Sequence, residues 1–163
     1  MKLIPHPDWP APAIEAIDVE PLFSDAAAVL TYRISGAMPL LPSPAAAERA
    51  DDLWRHTCFE LFVRTGGEGY YEFNFSPSSQ WAAYRFAGYR SGRVDLPLAP
   101  PRIERLADGL RVTVDLSALP RGAWRGSLAA VIEAQDGTMS YWALAHPPGK
   151  ADFHDPLGFA LAI

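Results

Sequence analysis

Two acidic side chains lie in the interiors of neighbouring strand-like segments. Glu60 is in the run 58–63, and Glu72 is in the run 70–75. A short glycine-rich connection joins the runs, which predicts an antiparallel hairpin. Because side chains alternate across a strand, Glu60 is expected opposite Glu72 or Asn74 on one face of the sheet. The sequence therefore predicts a polar face built from carboxyl and amide groups.

A third run, 81–86, carries Arg85, which is expected beside the two acids. Two carboxyl groups about 5–5.5 Å apart are what a retaining glycosidase needs, and opposed strand positions can supply that distance. A neighbouring guanidinium instead suits hydrogen bonding to a ligand, or an ion pair that holds the sheet face together. Strand-centre carboxyls without a loop acid or base favour a binding surface. No catalytic residue is predicted, and a glycan-processing enzyme using Glu60 and Glu72 is an alternative.

Tryptophans are spread along the chain, which has five of them. Sugar rings stack their C–H faces on aromatic faces, so tryptophans beside Glu, Arg and Asn suit carbohydrate chemistry. Most tryptophans in a β-rich domain pack in the core. Trp54 is the exception that the sequence favours, because it follows the polar segment 50–53 just before a strand.

Two histidines bracket a proline-containing loop near the C-terminus. His146 and His154 lie on either side of Lys150 and Asp152. Loops often carry binding residues, so these four are candidates for the rim of a ligand site. The alternative is a proline-stiffened loop whose histidines and acids bond to the backbone. The spacing matches no metal-binding motif, and no metal site is predicted.

The elements that must position these residues are strands. Apolar and polar residues alternate with period two in about ten segments, which predicts an all-β antiparallel sandwich of two sheets. Asp108–Gly109 and Asp136–Gly137 predict tight hairpin turns. The predicted strands are 14–19, 28–34, 58–63, 70–75, 81–86, 102–106, 110–116, 127–134, 139–145 and 158–162.

One connection has a different pattern. Ser43 and Pro44 suit the first positions of a helix, and the segment 45–52 that follows is rich in helix formers. We therefore expect one short helix inside a long connection between strands.

Length and composition place limits on the whole chain. The 163 residues predict a single domain, 1–163, and a net charge of −5 argues against nucleic-acid binding. A single cysteine excludes a disulfide framework, and no apolar run approaches the length of a membrane span. A cytoplasmic location is expected, since the N-terminus lacks the pattern of an export signal. The oligomeric state is left open.

The segments 53–63 and 70–77 resemble DOMON-like domains, which are related to family 9 carbohydrate-binding modules. Those domains share a tryptophan that leads into a Glu-Leu-Phe strand and then a Tyr-Glu-Phe-x-x-x-Pro strand. The resemblance is strongest over 53–90, and the segment 141–156 is similar to an uncharacterised bacterial subgroup. It covers about half the chain and implies an immunoglobulin-like or jelly-roll sandwich.

The resemblance also implies site residues. In the carbohydrate-binding relatives two tryptophans clasp a terminal sugar, while Glu, Arg and amide side chains bind its hydroxyl groups. By position Trp54 matches the first tryptophan and Glu60 the strand glutamate. Arg85 is expected to match the arginine, and Trp142 the second tryptophan.

The combined prediction is a domain that binds a small polar ligand, most simply a saccharide, without catalysis and without a cofactor. A haem-binding or redox domain is the alternative, because some DOMON relatives bind haem through Met and His. The predicted ligand residues are Trp54, Glu60, Glu72, Asn74, Arg85 and Trp142, with His146, Lys150, Asp152 and His154 at the rim.

Overall fold

A computed structural model describes residues 1–24 and 26–163. Within that part of the chain no helix is long and apolar enough to cross a membrane. Regular structure consists of strands and two short 3-10 turns, Leu53–Arg55 and Pro156–Gly158. The strands are β1 (Lys2–Pro5), β2 (Ile14–Phe23), β3 (Ala27–Gly36), β4 (Cys58–Arg64), β5 (Tyr70–Phe75), β6 (Trp81–Phe86), β7 (Val94–Asp95), β8 (Arg102–Leu106), β9 (Gly109–Asp115), β10 (Arg125–Glu133), β11 (Met139–Ala143) and β12 (Leu161–Ala162).

The strands form one curled antiparallel sheet in the order β7-β6-β5-β4-β10-β11-β1-β2-β3-β9-β8, and β12 pairs with β10. The short first strand holds the two halves together. Lys2 and Leu3 pair with β2, whereas Ile4 and Pro5 pair with β11. The predicted all-β class is confirmed. The predicted division into two sheets is not, because β1 makes the hydrogen-bonded ladder continuous.

All ten predicted strands are present, although the last one is shortened to β12. Both predicted hairpins are also present, one joining β8 to β9 and the other joining β10 to β11. In the first hairpin Gly109 already pairs with Leu106, so Ala107 and Asp108 form the turn. The sequence analysis missed β1 and β7, which are too short to show a period.

The predicted helix over 45–52 is wrong. This segment runs in an extended conformation beside the edge of β6, where Arg49 forms a parallel bridge with Trp81. The Ala50 N–H donates to the Trp81 carbonyl at 2.9 Å, and the Trp81 N–H donates to the Glu48 carbonyl at 3.2 Å. Backbone hydrogen bonds to the unpaired groups at a strand edge stabilise the extended conformation more than a weak helix propensity stabilises a short helix.

Strands β4, β5, β6 and β10 are buried on both faces, and each face belongs to a different apolar cluster. The main core lies between the two halves of the curled sheet. A smaller cluster covers the outer face of the same strands, where the C-terminal segment contributes Phe159. The outer cluster comprises Phe62, Tyr70, Ala82, Tyr84, Phe86, Ala129, Ala143 and Phe159.

Tyr32 links the two halves across the main core. Its hydroxyl donates to the backbone carbonyl of Glu60 at 3.0 Å, and its ring centroid lies 4.8 Å from that of Phe59. Tyr32 is fully buried, so water cannot replace this bond. The contact holds the backbone of β4 at Glu60, whose side chain points to the opposite face of the sheet.

Replacing Tyr32 by Phe should lower the free energy of unfolding by about 1–3 kcal/mol, because a buried acceptor loses its partner. Urea denaturation followed by circular dichroism would measure the loss. Tyr71→Phe is the matched control, since no hydrogen bond of the Tyr71 hydroxyl is found among the described residues. Equal stabilities for the two variants would show that the bond contributes nothing.

Candidate functional site

A cleft of about 800 Å³ lies on the outer face of the sheet. Its floor is formed by outward-facing side chains of five adjacent strands, β6, β5, β4, β10 and β11. Its walls come from the loops that surround them. The lining residues are Trp9, Asp52, Trp54, Glu60, Glu72, Tyr84, Phe86, Arg90, Arg93, Val131, Tyr141, Lys150, Ala151, Phe153 and His154.

Glu60 and Glu72 lie in the floor on neighbouring strands. Glu60 pairs with Asn74, while Glu72 pairs with Phe62 on one side and Tyr84 on the other. The three polar side chains therefore share one sheet face, as the strand alternation predicted. Glu60 and Glu72 are diagonal neighbours, a relation that places Cβ atoms about 7 Å apart.

Burial controls the charge of both carboxyl groups. Glu60 is 3% exposed and Glu72 is 7% exposed. Burial raises the pKa of Glu60 well above its ordinary value, and the charge of Glu72 adds to the effect. Burial also raises the pKa of Glu72, against the hydrogen bond that Asn74 Nδ2 donates to its Oε1 at 2.7 Å. A protonated carboxyl can both donate and accept a hydrogen bond, which matches the needs of a hydroxyl group.

His154 borders the carboxyl pair and is held in its neutral form. Burial and the charge of Arg90 lower the pKa of His154 to about 4. The Tyr70 oxygen accepts from the Arg90 backbone N–H at 3.2 Å and shares a hydrogen bond of 2.7 Å with His154 Nδ1. The other ring nitrogen, His154 Nε2, lies 3.9 Å from Glu72 Oε2.

Trp54 forms one wall and is 47% exposed. It lies on the 3-10 turn Leu53–Arg55, which precedes β4. The turn is held by the Arg55–Asp52 ion pair at 3.3 Å, and the Arg55 guanidinium carbon lies 5.6 Å from the indole centroid. The ring thus lies half exposed beside the cleft.

Trp9 forms a further part of the wall and is 44% exposed. Its ring packs edge-to-face on Tyr141 with centroids 5.2 Å apart, and Tyr141 packs on Phe153 at 6.1 Å. All three residues line the cleft. Two half-exposed indoles from distant parts of the chain therefore face one cavity.

His6 ties the Trp9 loop to the loop that carries Lys150. His6 is 1% exposed, and its Nδ1 accepts from the Asp8 N–H at 3.2 Å. Its Nε2 therefore carries the proton and donates to the Gly149 carbonyl at 2.9 Å. These bonds make one rigid wall from two loops.

Three predicted ligand residues are not among the residues that line the cleft. Asn74 is 1% exposed and holds Glu72 through the bond that its Nδ2 donates. Arg85 pairs with Tyr71, so its side chain is on the opposite face of β6 from Glu72 and is exposed. Trp142 pairs with Ala130 and is buried in the main core, where its indole N–H donates to Ser140 Oγ at 3.0 Å. For Arg85 and Trp142 the alternation of the strand turns the side chain away.

The four predicted rim residues separate into two groups. Lys150 and His154 line the cleft. Asp152 is not part of the lining but holds two lining residues in place. Its carboxylate accepts from Arg90 at 2.7 Å and from the His154 backbone N–H at 3.0 Å. His146 bonds to the Ile4 carbonyl at 2.8 Å and is not part of the lining.

The sequence analysis missed Trp9, Tyr84, Arg90 and Arg93. Trp9 had one available signal, since a tryptophan between prolines in a polar loop is poorly placed for a core. Tyr84 alternates with Arg85, so correct assignment of the β6 faces would have found it. Arg90 and Arg93 come from the turn after β6, and nothing in the sequence says which way that turn folds.

Among residues 1–24 and 26–163, no group of three His, Cys, Asp or Glu side chains is placed to hold a metal ion.

The fold is similar to that of a protein from Bacteroides uniformis ATCC 8492, described as a candidate carbohydrate-binding protein. The TM-score is 0.67 at 15% identity, covering 95% of this chain and 80% of that chain. A second similar structure is a family 9 carbohydrate-binding module from Caldicellulosiruptor kristjanssonii in complex with glucose, with a TM-score of 0.47, 14% identity, and 82% and 69% coverage. No protein-family profile matches the chain, and neither does any curated protein. At this identity the first likeness shows a shared fold.

The buried carboxyl groups predict an unusual dependence of stability on pH. The folded protein retains protons on Glu60 and Glu72 at pH values where the unfolded chain has released them. The free energy of unfolding should therefore fall as pH rises from the ordinary glutamate pKa through the raised folded values. Glu60→Gln should flatten this slope. At pH values above the raised pKa of Glu60, the free energy of unfolding of the variant should exceed that of the wild type by about 1.4 kcal/mol for each unit by which the pKa is raised.

Urea denaturation at pH 5, 6, 7 and 8 would measure the effect. Glu68→Gln is the matched control, because Glu68 is exposed and loses the same charge. If Glu60→Gln and Glu68→Gln followed the same pH dependence, Glu60 would be ionised in the folded protein.

Proposed function

We propose that the chain is a non-catalytic saccharide-binding domain whose ligand lies in the cleft on the outer face of the sheet. The observation that carries the proposal is the pair of half-exposed indoles, Trp9 and Trp54, above a floor that holds two buried carboxyl groups. A sugar presents apolar C–H faces and a rim of hydroxyl groups, and this cleft offers a partner for each.

The dimensions and placement of the cleft support the proposal. Sites for small molecules commonly have volumes of about 300–1,000 Å³ and combine aromatic walls with a few polar groups. The cleft has these features, and its floor is built on strands, which hold side chains more firmly than loops do. The protein of the same fold from Bacteroides uniformis is itself described as a candidate carbohydrate-binding protein.

The charge states of the acids favour binding over catalysis. A glycosidase separates its two carboxyl groups into an acid and a base by shifting their pKa values apart. Here burial raises the pKa of both Glu60 and Glu72. In this proposal the two groups bind hydroxyl groups, and Asn74 holds Glu72 in place.

The finer predictions from the sequence enter this proposal with two replacements. Trp9 takes the role expected of Trp142, and Arg90 takes the role expected of Arg85. The relation to DOMON-like domains and to family 9 carbohydrate-binding modules, the cytoplasmic location and function without a cofactor are retained as proposals.

Tryptophan fluorescence titrated with mono- and disaccharides tests the proposal. The wild type should show a saturable change with at least one sugar, and Trp54→Ala and Trp9→Ala should each weaken binding roughly tenfold or more. Trp124→Phe is the control, because Trp124 lies in the core and its indole donates to the Pro120 carbonyl at 2.8 Å.

Three outcomes would contradict the proposal. If no sugar of the panel caused a saturable change in tryptophan fluorescence, saccharide binding would be excluded for these sugars. Sugar hydrolysis that is lost in both Glu60→Gln and Glu72→Gln would identify a glycan-processing enzyme. A shifted Soret band after addition of haem would favour the haem-binding alternative.

A further inference from the structure

Three cationic side chains line the cleft, and one of them is already neutralised. Arg90 donates to Asp152 Oδ1 at 2.7 Å, and the hydroxyl of Tyr89 donates to the same carboxylate. Arg93 and Lys150 differ from Arg90, because no ion pair or hydrogen bond of either side chain is found among residues 1–24 and 26–163. The charge available to a ligand therefore comes from Arg93 and Lys150.

Arg93 is positioned by an aromatic ring. Its guanidinium carbon lies 4.9 Å from the ring centroid of Tyr84, which is itself part of the cleft floor. A cation over an aromatic face gains electrostatic attraction while its N–H groups stay available around the edge. A guanidinium so placed can present two parallel N–H groups to a carboxylate or a phosphate.

The aspartates near Arg93 have hydrogen-bond partners other than Arg93. Arg49 donates to both Asp51 and Asp95. Asp51 is occupied, since it accepts from the Tyr84 hydroxyl at 2.5 Å and from Arg49 at 3.0 Å. Asp52, the one aspartate in the lining, is paired with Arg55.

Among the described residues, neither floor carboxyl group forms an ion pair with Arg93 or Lys150. Glu60 and Glu72 are nearly sealed, and burial raises the pKa of each, which favours their uncharged forms. The cleft therefore presents two cations, Arg93 and Lys150, that have no ion-pair partner among the described residues, although the whole chain has a net charge of −5.

We infer that the cleft takes a saccharide that carries an anionic group, a carboxylate or a phosphate, and that Arg93 binds this group. The inference rests on the proposed function, because the sugar ring is held by Trp9 and Trp54. Lys150 adds long-range attraction from the loop that His6 fixes. Glu60 and Glu72, in the floor below, bind the hydroxyl groups of the sugar.

Titration calorimetry with matched sugars tests the inference. Glucose, glucuronate and glucose 6-phosphate share one ring and differ in the group at carbon 6, and the galactose series repeats the comparison. At least one anionic sugar should bind roughly tenfold or more tightly than its neutral parent. Its affinity should fall as salt is raised from 20 to 500 mM NaCl, because salt screens exposed charges. Whichever of the uronate and the sugar phosphate binds with higher affinity identifies whether the anionic group is a carboxylate or a phosphate.

Arg93→Gln should abolish the preference for the anionic sugar and leave the affinity for the neutral parent within about twofold. Arg93→Lys should keep part of the preference, because it keeps the charge and loses the paired N–H groups. Arg85→Gln is the matched control. It removes the same charge from the neighbouring strand, but on the face opposite the cleft, and should bind like the wild type.

The results separate this inference from the proposed function. If neutral and anionic sugars bind equally, or if Arg93→Gln and Arg85→Gln behave alike, the inference fails and saccharide binding stands. If inorganic phosphate alone displaces the anionic sugar at similar concentration, the cleft is a simple anion site and the inference fails. If no sugar of either kind binds, both fail.

Discussion

The alternation of side chains across β4, β5 and β6 is the constraint on which the site depends. These strands are buried on both faces, so each residue must suit either the main core or the outer face. Glu60 and Glu72 point to the outer face, where burial makes their ionised forms unfavourable. The protein therefore keeps two buried polar groups in the floor of the cleft, at a cost in stability that is typical of a functional site.

The walls of the cleft depend on contacts that cross the sequence. The Trp9 loop is held against the C-terminal loop by His6, and the turn that carries Trp54 is held by its own ion pair. Indoles fixed in this way lose little conformational entropy when a ligand binds, which favours affinity. The same rigidity leaves both rings half exposed without a ligand. These half-exposed aromatic rings around one cavity are the observation on which the proposed saccharide binding rests.

The strand content could be predicted from the sequence because period two is a local property. Each run needs only its own residues to show which positions share a face, and all ten predicted strands appear. The segment 45–52 was assigned incorrectly because its helix preference is small and local. The free edge of β6 offered it backbone partners, and no pattern within 45–52 contains that information.

The sequence by itself determined the alternation within each strand, and it predicted that Glu60 and Asn74 share a face if the hairpin has an even pairing register, which the structure has. It also determined that Trp54 lies outside the core. Only the tertiary structure decided that Arg85 faces away from the acids and that Trp9 replaces Trp142 in the wall. Alternation fixes which residues share a face, but which face meets the core depends on the strands packed against it. Those strands come from distant parts of the chain, and long-range packing chooses between the two faces.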